Sequence, residues 1–151
     1  MIYSLNTTNT DFYAYQFKPV LQFLDSPSNG IIIADEVGLG KTIEAGLIWT
    51  ELRAREDARR LLVICPAMLR EKWRDELAKR FGVKAKIVDA GELLDGLNIA
   101  LQHPLDGFAY ISSFQGLRPP RGWDKDEDER ENPPPDTKTA QLARFLNSSD
   151  Q

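Results

Sequence analysis

One glycine-rich run, Ala34–Thr42, constrains the fold of this chain more than any other segment. Its sequence is Ala-Asp-Glu-Val-Gly-Leu-Gly-Lys-Thr, and three isoleucines, Ile31–Ile33, come directly before it. Residues Ile43–Trp49 follow with apolar side chains at helical spacing. This order predicts a buried parallel strand over 30–33, then a tight turn, then a helix that begins near Lys41.

The residue types in this turn suit the binding of a polyphosphate. Glycines let backbone N–H groups converge on phosphate oxygens, and the amino end of the following helix adds a partial positive charge. The ammonium group of Lys41 can reach the β- and γ-phosphates, and the hydroxyl of Thr42 can bind Mg²⁺. The general phosphate-loop pattern begins with a glycine where this chain has Asp35. The candidate nucleotide-binding residues here are Asp35, Glu36, Val37, Gly38, Leu39, Gly40, Lys41 and Thr42.

The departure at Asp35 points to one group of ATPases. The sequence over Asp35–Thr42 resembles motif I of the SWI/SNF-type ATPases, a branch of the superfamily-two helicases. The continuation over Ile43–Ile48 looks like the bacterial RapA/HepA-like branch of that family. The resemblance implies a RecA-like P-loop lobe that uses ATP and Mg²⁺. It also implies nucleic acid, most of all double-stranded DNA, as the partner of the intact protein.

Three other segments resemble landmarks of the same family. Gln16 resembles its adenine-reading glutamine, although a lone glutamine is more often solvated surface. The strand pattern Leu61–Pro66 and the helix after it resemble motif Ia, whose loop faces the nucleic-acid backbone in the family. The strand pattern Phe108–Ser112, with its hydroxyl residues, resembles a later strand and turn. The candidate nucleic-acid contacts are Pro66, Arg70, Ser112 and Ser113.

The carboxylates that ATP hydrolysis needs do not occur in these 151 residues. The family carries them in a strand that ends Asp-Glu-x-His, and no such sequence is present. The run Asp126–Glu129 is acidic, but its charged and proline-flanked context favours a solvated loop. We therefore expect the front part of one lobe from a longer protein, without its second lobe. Whether the chain alone is an enzyme stays open at this point.

Composition sets the broad class of the protein. The chain has a formal net charge of −4, one cysteine and one histidine, which argues against a disulfide framework and a zinc site. No run is apolar enough to span a bilayer, and a single cysteine suits a reducing cytosol, so we expect a cytoplasmic protein. The resemblance to the bacterial branch of the family implies a bacterial or archaeal source. Residues 51–86 contain eleven basic and six acidic side chains. These basic residues are either phosphate contacts or the solvent faces of surface helices.

The alternation of strand and helix patterns predicts an α/β fold with a mostly parallel sheet, incomplete at its carboxyl-terminal end. Residues 1–118 form the front part of the ATP-binding lobe, 119–138 a charged proline-rich loop, and 139–151 a short helix and chain end. The expected helices cover 16–24, 41–55, 68–81, 92–101 and 139–146, and the further strands cover 61–65, 84–88 and 108–112.

Three functions remain as alternatives. The first is the ATP-binding portion of a SWI/SNF-like helicase or DNA translocase. The second is a nucleotide-binding fragment without ATPase activity, which the missing carboxylates favour. The third is another P-loop enzyme, such as a small-molecule kinase, which the residue at Asp35 disfavours. DNA and RNA, and unwinding and translocation, are also alternatives that the sequence leaves open.

Overall fold

The computed structural model describes residues 14–28, 30–34, 40–125 and 135–148, in which helices alternate with three strands. The strands are β1 (Arg60–Cys65), β2 (Lys86–Ile87) and β3 (Phe108–Ser113). The α-helices are α1 (Lys18–Asp25), α2 (Lys41–Glu56), α3 (Arg70–Phe81), α4 (Ala90–Gln102), α5 (Phe114–Leu117) and α6 (Lys138–Ser148). Short 3₁₀ helices over Ala14–Phe17 and Ala67–Leu69 precede α1 and α3.

The three strands form one parallel sheet in the order β1-β3-β2. Along β1, Arg60 lies opposite Phe108 and Cys65 lies opposite Ser113. Strand β2 pairs with β3 over two residues. This sheet confirms the predicted α/β class with a mostly parallel sheet, and it is consistent with a RecA-like lobe.

Other elements cover both faces of the central strand β3. Successive side chains of a strand point to opposite faces, and those of β3 enter two different clusters. Ile111 is fully buried in one cluster, to which β1, α2 and α3 also contribute. Tyr110 packs against a second cluster, which joins α4 to α6. The buried members of the first cluster are Trp49, Val63, Cys65, Leu77, Val83 and Ile111, and those of the second are Val88, Ala90, Leu93, Leu94 and Leu142.

The edge strand β1 is covered on one face only. Val63 and Cys65 are buried in the first cluster, whereas Leu62 and Ile64 are 38% and 42% exposed. Trp73, on α3, packs against the same cluster as Val63. Its role in the core is the one that aromatic residues at helical spacing usually have.

Two glycines let helices approach their neighbours closely. A Cβ on Gly46 of α2 would lie 2.1 Å from Cε2 of Phe81, at the end of α3. A Cβ on Gly96 of α4 would lie 2.7 Å from the Tyr110 ring and hydroxyl on β3. Both positions therefore need the smallest side chain, and they set the spacing of α2 on α3 and of α4 on the sheet.

Side chains secure both ends of α4. At the amino end, the Asp89 carboxylate accepts from the Glu92 N–H at 2.8 Å and Glu92 accepts from the Asp89 N–H, which is a capping box. At the other end, the Arg60 guanidinium donates to four backbone carbonyls. These belong to Ala100, His103, Pro104 and Asp106, at 2.8 to 3.3 Å. Arg60 thus ties the turn before β3 to the start of β1.

The prediction of a buried strand over 30–33 is wrong for this structure. The segment 30–34 joins no sheet ladder among the described residues, and Ile32 is 91% exposed. A parallel strand is held by hydrogen bonds to a neighbour in the sheet. The described strands place no such neighbour beside this segment.

The chain after α5 contains one further helix in its described part. Residues 118–125 form turns without a helix or strand, and Asp126–Glu129 lies outside the described residues. Helix α6 packs on α4 through Leu142 and Phe145. Among the described helices, none has the length and apolar character that crossing a membrane requires.

Candidate functional site

The amino end of α2 lies at the same edge of the molecule as the carboxyl ends of the strands. Helix α2 ends at Glu56, just before β1 begins at Arg60. Its 16 residues span about 24 Å, and the six residues of β1 span about 20 Å. The amino end of α2 therefore lies level with Cys65 and Ser113, where parallel α/β sheets usually bind ligands.

Gly40 caps the amino end of α2 in a left-handed conformation, with φ 88° and ψ 41°. Its carbonyl accepts from the N–H groups of Ile43 and Glu44, at 2.9 and 3.1 Å. Lys41 and Thr42 are the first two residues of the helix and are half-buried. The other predicted residues of the loop, Asp35 to Leu39, lie outside the described residues.

Gln16 lies against this helix end and is only 3% exposed. Its Nε2 atom lies 2.7 Å from the point that a Cβ on Gly40 would occupy. The structure thus brings together Gln16 and Gly40, which the sequence separates by 24 positions. The short helix that carries Gln16 also packs on α2.

A cavity of about 170 Å³ lies beside this contact. Its wall includes Tyr15, which is 45% exposed, and Glu44, which is fully buried. The segment 31–34, which leads to the predicted phosphate loop, lines the same cavity. A larger cavity of about 540 Å³ lies at the opposite edge of the sheet, and none of the predicted site residues lines it.

Two loops form the carboxyl edge of the sheet next to α2, and each contains a short helix, Ala67–Leu69 after β1 and α5 after β3. Pro66 ends β1 and is exposed, and Arg70 begins α3. The Arg70 Nε donates to the Ala67 carbonyl at 2.9 Å, and the Gln115 Oε1 accepts from the Ala67 N–H at 3.2 Å. Side chains of α3 and α5 therefore bind both backbone polar groups of Ala67, its N–H and its carbonyl.

The two predicted serine contacts have other partners in the structure. Ser112 is 1% exposed, and its hydroxyl donates to the Val88 carbonyl at 2.9 Å. The Ser113 Oγ accepts from the Gly116 N–H at 2.9 Å and caps α5. The Ser112 proton therefore stabilises the fold and cannot donate to a phosphate, whereas the Ser113 proton is not used by this cap.

Cys65 is a buried apolar neighbour of this edge. It is 3% exposed, and its Sγ lies 3.8 Å from the Ser112 carbonyl oxygen. Burial raises the pKa of the Cys65 thiol above its ordinary value, and the positive charge of Arg70 opposes that shift. The neutral thiol acts as a small hydrophobic residue.

Several of the eleven basic residues in 51–86 are engaged within the chain. Ion pairs join Arg55 to Glu51, Arg59 to Asp57, Arg74 to Asp75, and Arg80 to Glu76. Arg60 is used at the end of α4, as described above. This pattern favours solvent-facing helices over a continuous phosphate-binding surface. Within the described ranges, no group of three or more carboxylate, histidine or cysteine side chains could hold a metal ion.

Sequence reasoning did not identify Gln115 as part of the edge. A polar residue two positions after a strand end was the available signal, but its partner, Ala67, lies 48 positions away. A contact of this kind depends on the pairing of β1 with β3.

Comparisons with known proteins identify the family. The sequence profile of the SNF2-related domain matches residues 15–88. RNA polymerase-associated protein RapA of Pseudomonas putida (strain GB-1) is 34% identical over 82 residues, which are 54% of this chain and 9% of that protein. The uncharacterized ATP-dependent helicase YqhH of Bacillus subtilis (strain 168) is 39% identical over 71 residues, 47% of this chain and 13% of that protein. This chain thus matches only a small part of each relative's length. Residues 15–88 match the SNF2-related domain, which is the family that the motif Asp35–Thr42 resembles.

Proposed function

We propose that this chain is the ATP-binding portion of an SNF2-like, ATP-dependent helicase or DNA translocase. The observation that carries the proposal is the contact between Gln16 and Gly40 at the amino end of α2. It brings the candidate base-reading residue to the candidate phosphate loop. The family match over residues 15–88 includes both residues.

The residues at this helix end fit a nucleotide. Gly40 lacks the Cβ that would collide with Gln16, and the helix amino end favours an anion. Lys41 would hold the β- and γ-phosphates, together with Gly38 and Gly40. Gln16 would read the adenine edge, because a carboxamide offers both a donor and an acceptor. Thr42 would ligate Mg²⁺, which neutralises phosphate charge when it is bound.

The carboxyl edge of the sheet is the proposed nucleic-acid side, with double-stranded DNA as the partner. Pro66, Arg70 and Ser113 lie on the two loops of this edge. The printed name of RapA associates that relative with RNA polymerase, and that of YqhH describes a helicase. Both names are consistent with a protein that acts on nucleic acid, and the cytoplasm is the proposed location.

For these 151 residues alone, we propose nucleotide binding without hydrolysis. The sequence contains no Asp-Glu-x-His box, and hydrolysis needs a carboxylate for the metal and a group that orients water. The small-molecule kinase alternative has no support from the relatives, whose names describe an RNA polymerase-associated protein and a helicase.

A nucleotide titration tests the ATP site. A fluorescent ATP analogue with Mg²⁺ is titrated into the wild-type chain, Lys41→Ala and Lys84→Ala, an exposed lysine at the opposite edge. We expect Lys41→Ala to weaken binding by at least about tenfold, because it removes a charged hydrogen-bond donor. Lys84→Ala should bind like wild type. Equal affinity of wild type and Lys41→Ala would contradict the assignment.

Phosphate release tests the second part of the proposal. Release from ATP is measured with and without duplex DNA. We expect no turnover above the level of a Lys41→Ala sample in either condition. Turnover that rises on addition of DNA would show that these residues hydrolyse ATP and that the proposal of binding without hydrolysis is wrong.

A further inference from the structure

One side chain bridges the two loops at the carboxyl edge of the sheet. The Oε1 atom of Gln115 accepts from the Ala67 N–H at 3.2 Å, which joins the loop after β3 to the loop after β1. This bond lies next to Pro66 and Arg70. It holds the two loops at a fixed separation.

The same bond fixes what Gln115 presents to solvent. A carboxamide has one oxygen and one NH₂ group. Because the oxygen faces Ala67, the NH₂ group lies on the other side of the side chain, with two donors. Gln115 is exposed, and no partner of this NH₂ group occurs among the described residues.

The neighbouring polar groups leave few donors at this edge. The Ser112 hydroxyl donates to Val88, whereas the Ser113 oxygen only accepts from Gly116, so the Ser113 proton is the one donor that these two hydroxyls leave available. Arg70 uses its Nε on Ala67, which leaves its two terminal NH₂ groups. Gln115 and Arg70 therefore lie on either side of Ala67. Gln115 is anchored through Oε1 and keeps its NH₂ group available, and Arg70 is anchored through Nε and keeps its two terminal NH₂ groups available.

We propose that Gln115 contacts the phosphate backbone of a bound nucleic acid through its NH₂ group. Its bond to Ala67 orients the side chain before binding, so little rotational freedom is lost in the complex. Neutral amides are common donors to phosphate oxygens. This inference rests on the proposed function in taking nucleic acid as the ligand, and it assigns the donor role to a residue other than Ser112.

One substitution separates this contact from the structural role of Gln115. Gln115→Glu keeps an oxygen that accepts from Ala67 but replaces the NH₂ group with a carboxylate oxygen, which repels phosphate. Gln102→Glu is the matched control. It makes the same chemical change at an exposed position at the end of α4, on the amino side of the sheet.

Binding to a short fluorescein-labelled DNA duplex is measured by anisotropy, and stability by urea unfolding. We expect Gln115→Glu to bind at least about tenfold more weakly than wild type. Its unfolding midpoint should match wild type, because the bond to Ala67 is kept. Gln102→Glu should bind DNA like wild type, and all three proteins should bind the ATP analogue equally.

Truncation of Gln115 to alanine, which changes no charge, gives a second test of the contact. Gln115→Ala should lower the affinity without changing the slope of log affinity against log salt, because no cation is lost. Arg70→Gln should reduce the magnitude of that slope by about 0.9. A reduced slope for Gln115→Ala would overturn the proposal of a neutral, direct contact.

The wild-type protein provides a test that does not depend on a folded variant. The side-chain NH₂ signals of Gln115 are assigned in a ¹⁵N spectrum by their loss in Gln115→Ala. They should shift when the duplex is added. Wild-type binding with unshifted Gln115 signals, or with equal affinity for Gln115→Glu, would overturn this inference and leave the proposed function intact. A wild-type chain that binds the ATP analogue but not the duplex would overturn both this inference and the proposed nucleic-acid partner.

Discussion

Gly40 belongs to the candidate site and also has a backbone conformation that favours glycine. Its φ of 88° lies in the left-handed region, which side chains other than glycine rarely adopt. The space beside it is also restricted, because Gln16 Nε2 lies only 2.7 Å from the point that a Cβ would occupy. Two independent requirements therefore select glycine at this position.

Gly40→Ala should destabilise the chain and weaken nucleotide binding together. We expect a loss of at least about 1 kcal/mol in the free energy of unfolding, from left-handed strain and the displaced Gln16. Urea unfolding and the ATP-analogue titration measure the two effects. Gly30→Ala is the control, because a Cβ there meets no heavy atom within 4 Å. Equal stability of Gly40→Ala and wild type would contradict the described contact.

Cys65 should make the stability of the folded chain depend on alkaline pH. Burial raises the pKa of its thiol in the folded state, so the folded protein retains this proton where the unfolded chain releases it. The contribution is fully present below the ordinary thiol pKa and is lost as pH rises through the folded-state value. Urea unfolding of wild type and Cys65→Ala at about pH 8 and about pH 10 should show a steeper loss for wild type. Parallel losses in the two proteins would show that the thiol has no such role.

Sequence patterns predicted the anchors of the site better than its side-chain contacts. Lys41 and Thr42 open a helix as their motif requires, whereas the burial of Ser112 was not visible in the sequence. Its partner, Val88, lies 24 positions away. The role of Gln115 depends likewise on a distant residue. Such contacts follow from how strands pair, which a local pattern does not report.

At the scale of elements, the packing of α2 on α3 depends on one small residue. Gly46→Ala adds a Cβ that would collide with Phe81. Alanine favours a helix interior over glycine by about 1 kcal/mol, so propensity alone predicts stabilisation. We expect net destabilisation instead, because overpacking typically costs about 1–3 kcal/mol.

Urea unfolding of Gly46→Ala measures this effect, and a second variant tests its cause. Gly46→Ala combined with Phe81→Leu should be less destabilised than the sum of the two single variants, because the smaller side chain makes room for the new methyl group. Additive losses would show that Gly46 and Phe81 are not coupled.

The link between β1 and the end of α4 depends on Arg60. Arg60→Ala leaves four carbonyls without the guanidinium that they share. We expect a loss of about 2 kcal/mol in the free energy of unfolding, typical of hydrogen bonds to a charged group. Arg53→Ala, on the exposed side of α2, should change stability by less than about 0.5 kcal/mol. Urea unfolding compares the two, and equal losses would contradict the specific role of Arg60.

Element positions followed well from the sequence because they depend on local periodicity. The helices at 41–55, 68–81 and 92–101 were found within a few residues of their expected ends. The segment 30–33 has the composition of a strand but no neighbour to pair with in the described sheet. A strand forms only when two segments pair, so the composition of residues 30–33 alone did not determine whether they form one.

At the scale of the whole molecule, the sheet is covered unevenly. Strand β3 is packed on both faces, whereas β1 is an edge strand of the described sheet and exposes Leu62 and Ile64. An exposed apolar edge of this kind favours association between chains. We therefore predict low solubility of the isolated chain.

The central position of β3 also constrains the order in which the protein can fold during synthesis. Strands β1 and β2 leave the ribosome first, but each pairs with β3, and β3 is the last described strand in the chain. No ladder of the described sheet can form until residues 108–113 have emerged, which makes its contacts non-local and its assembly slow. A chain that ends at residue 107 should therefore show fast amide exchange across 60–65, and protection there would mean that β1 finds another partner. Until β3 arrives, the buried face of β1 remains available to chaperones.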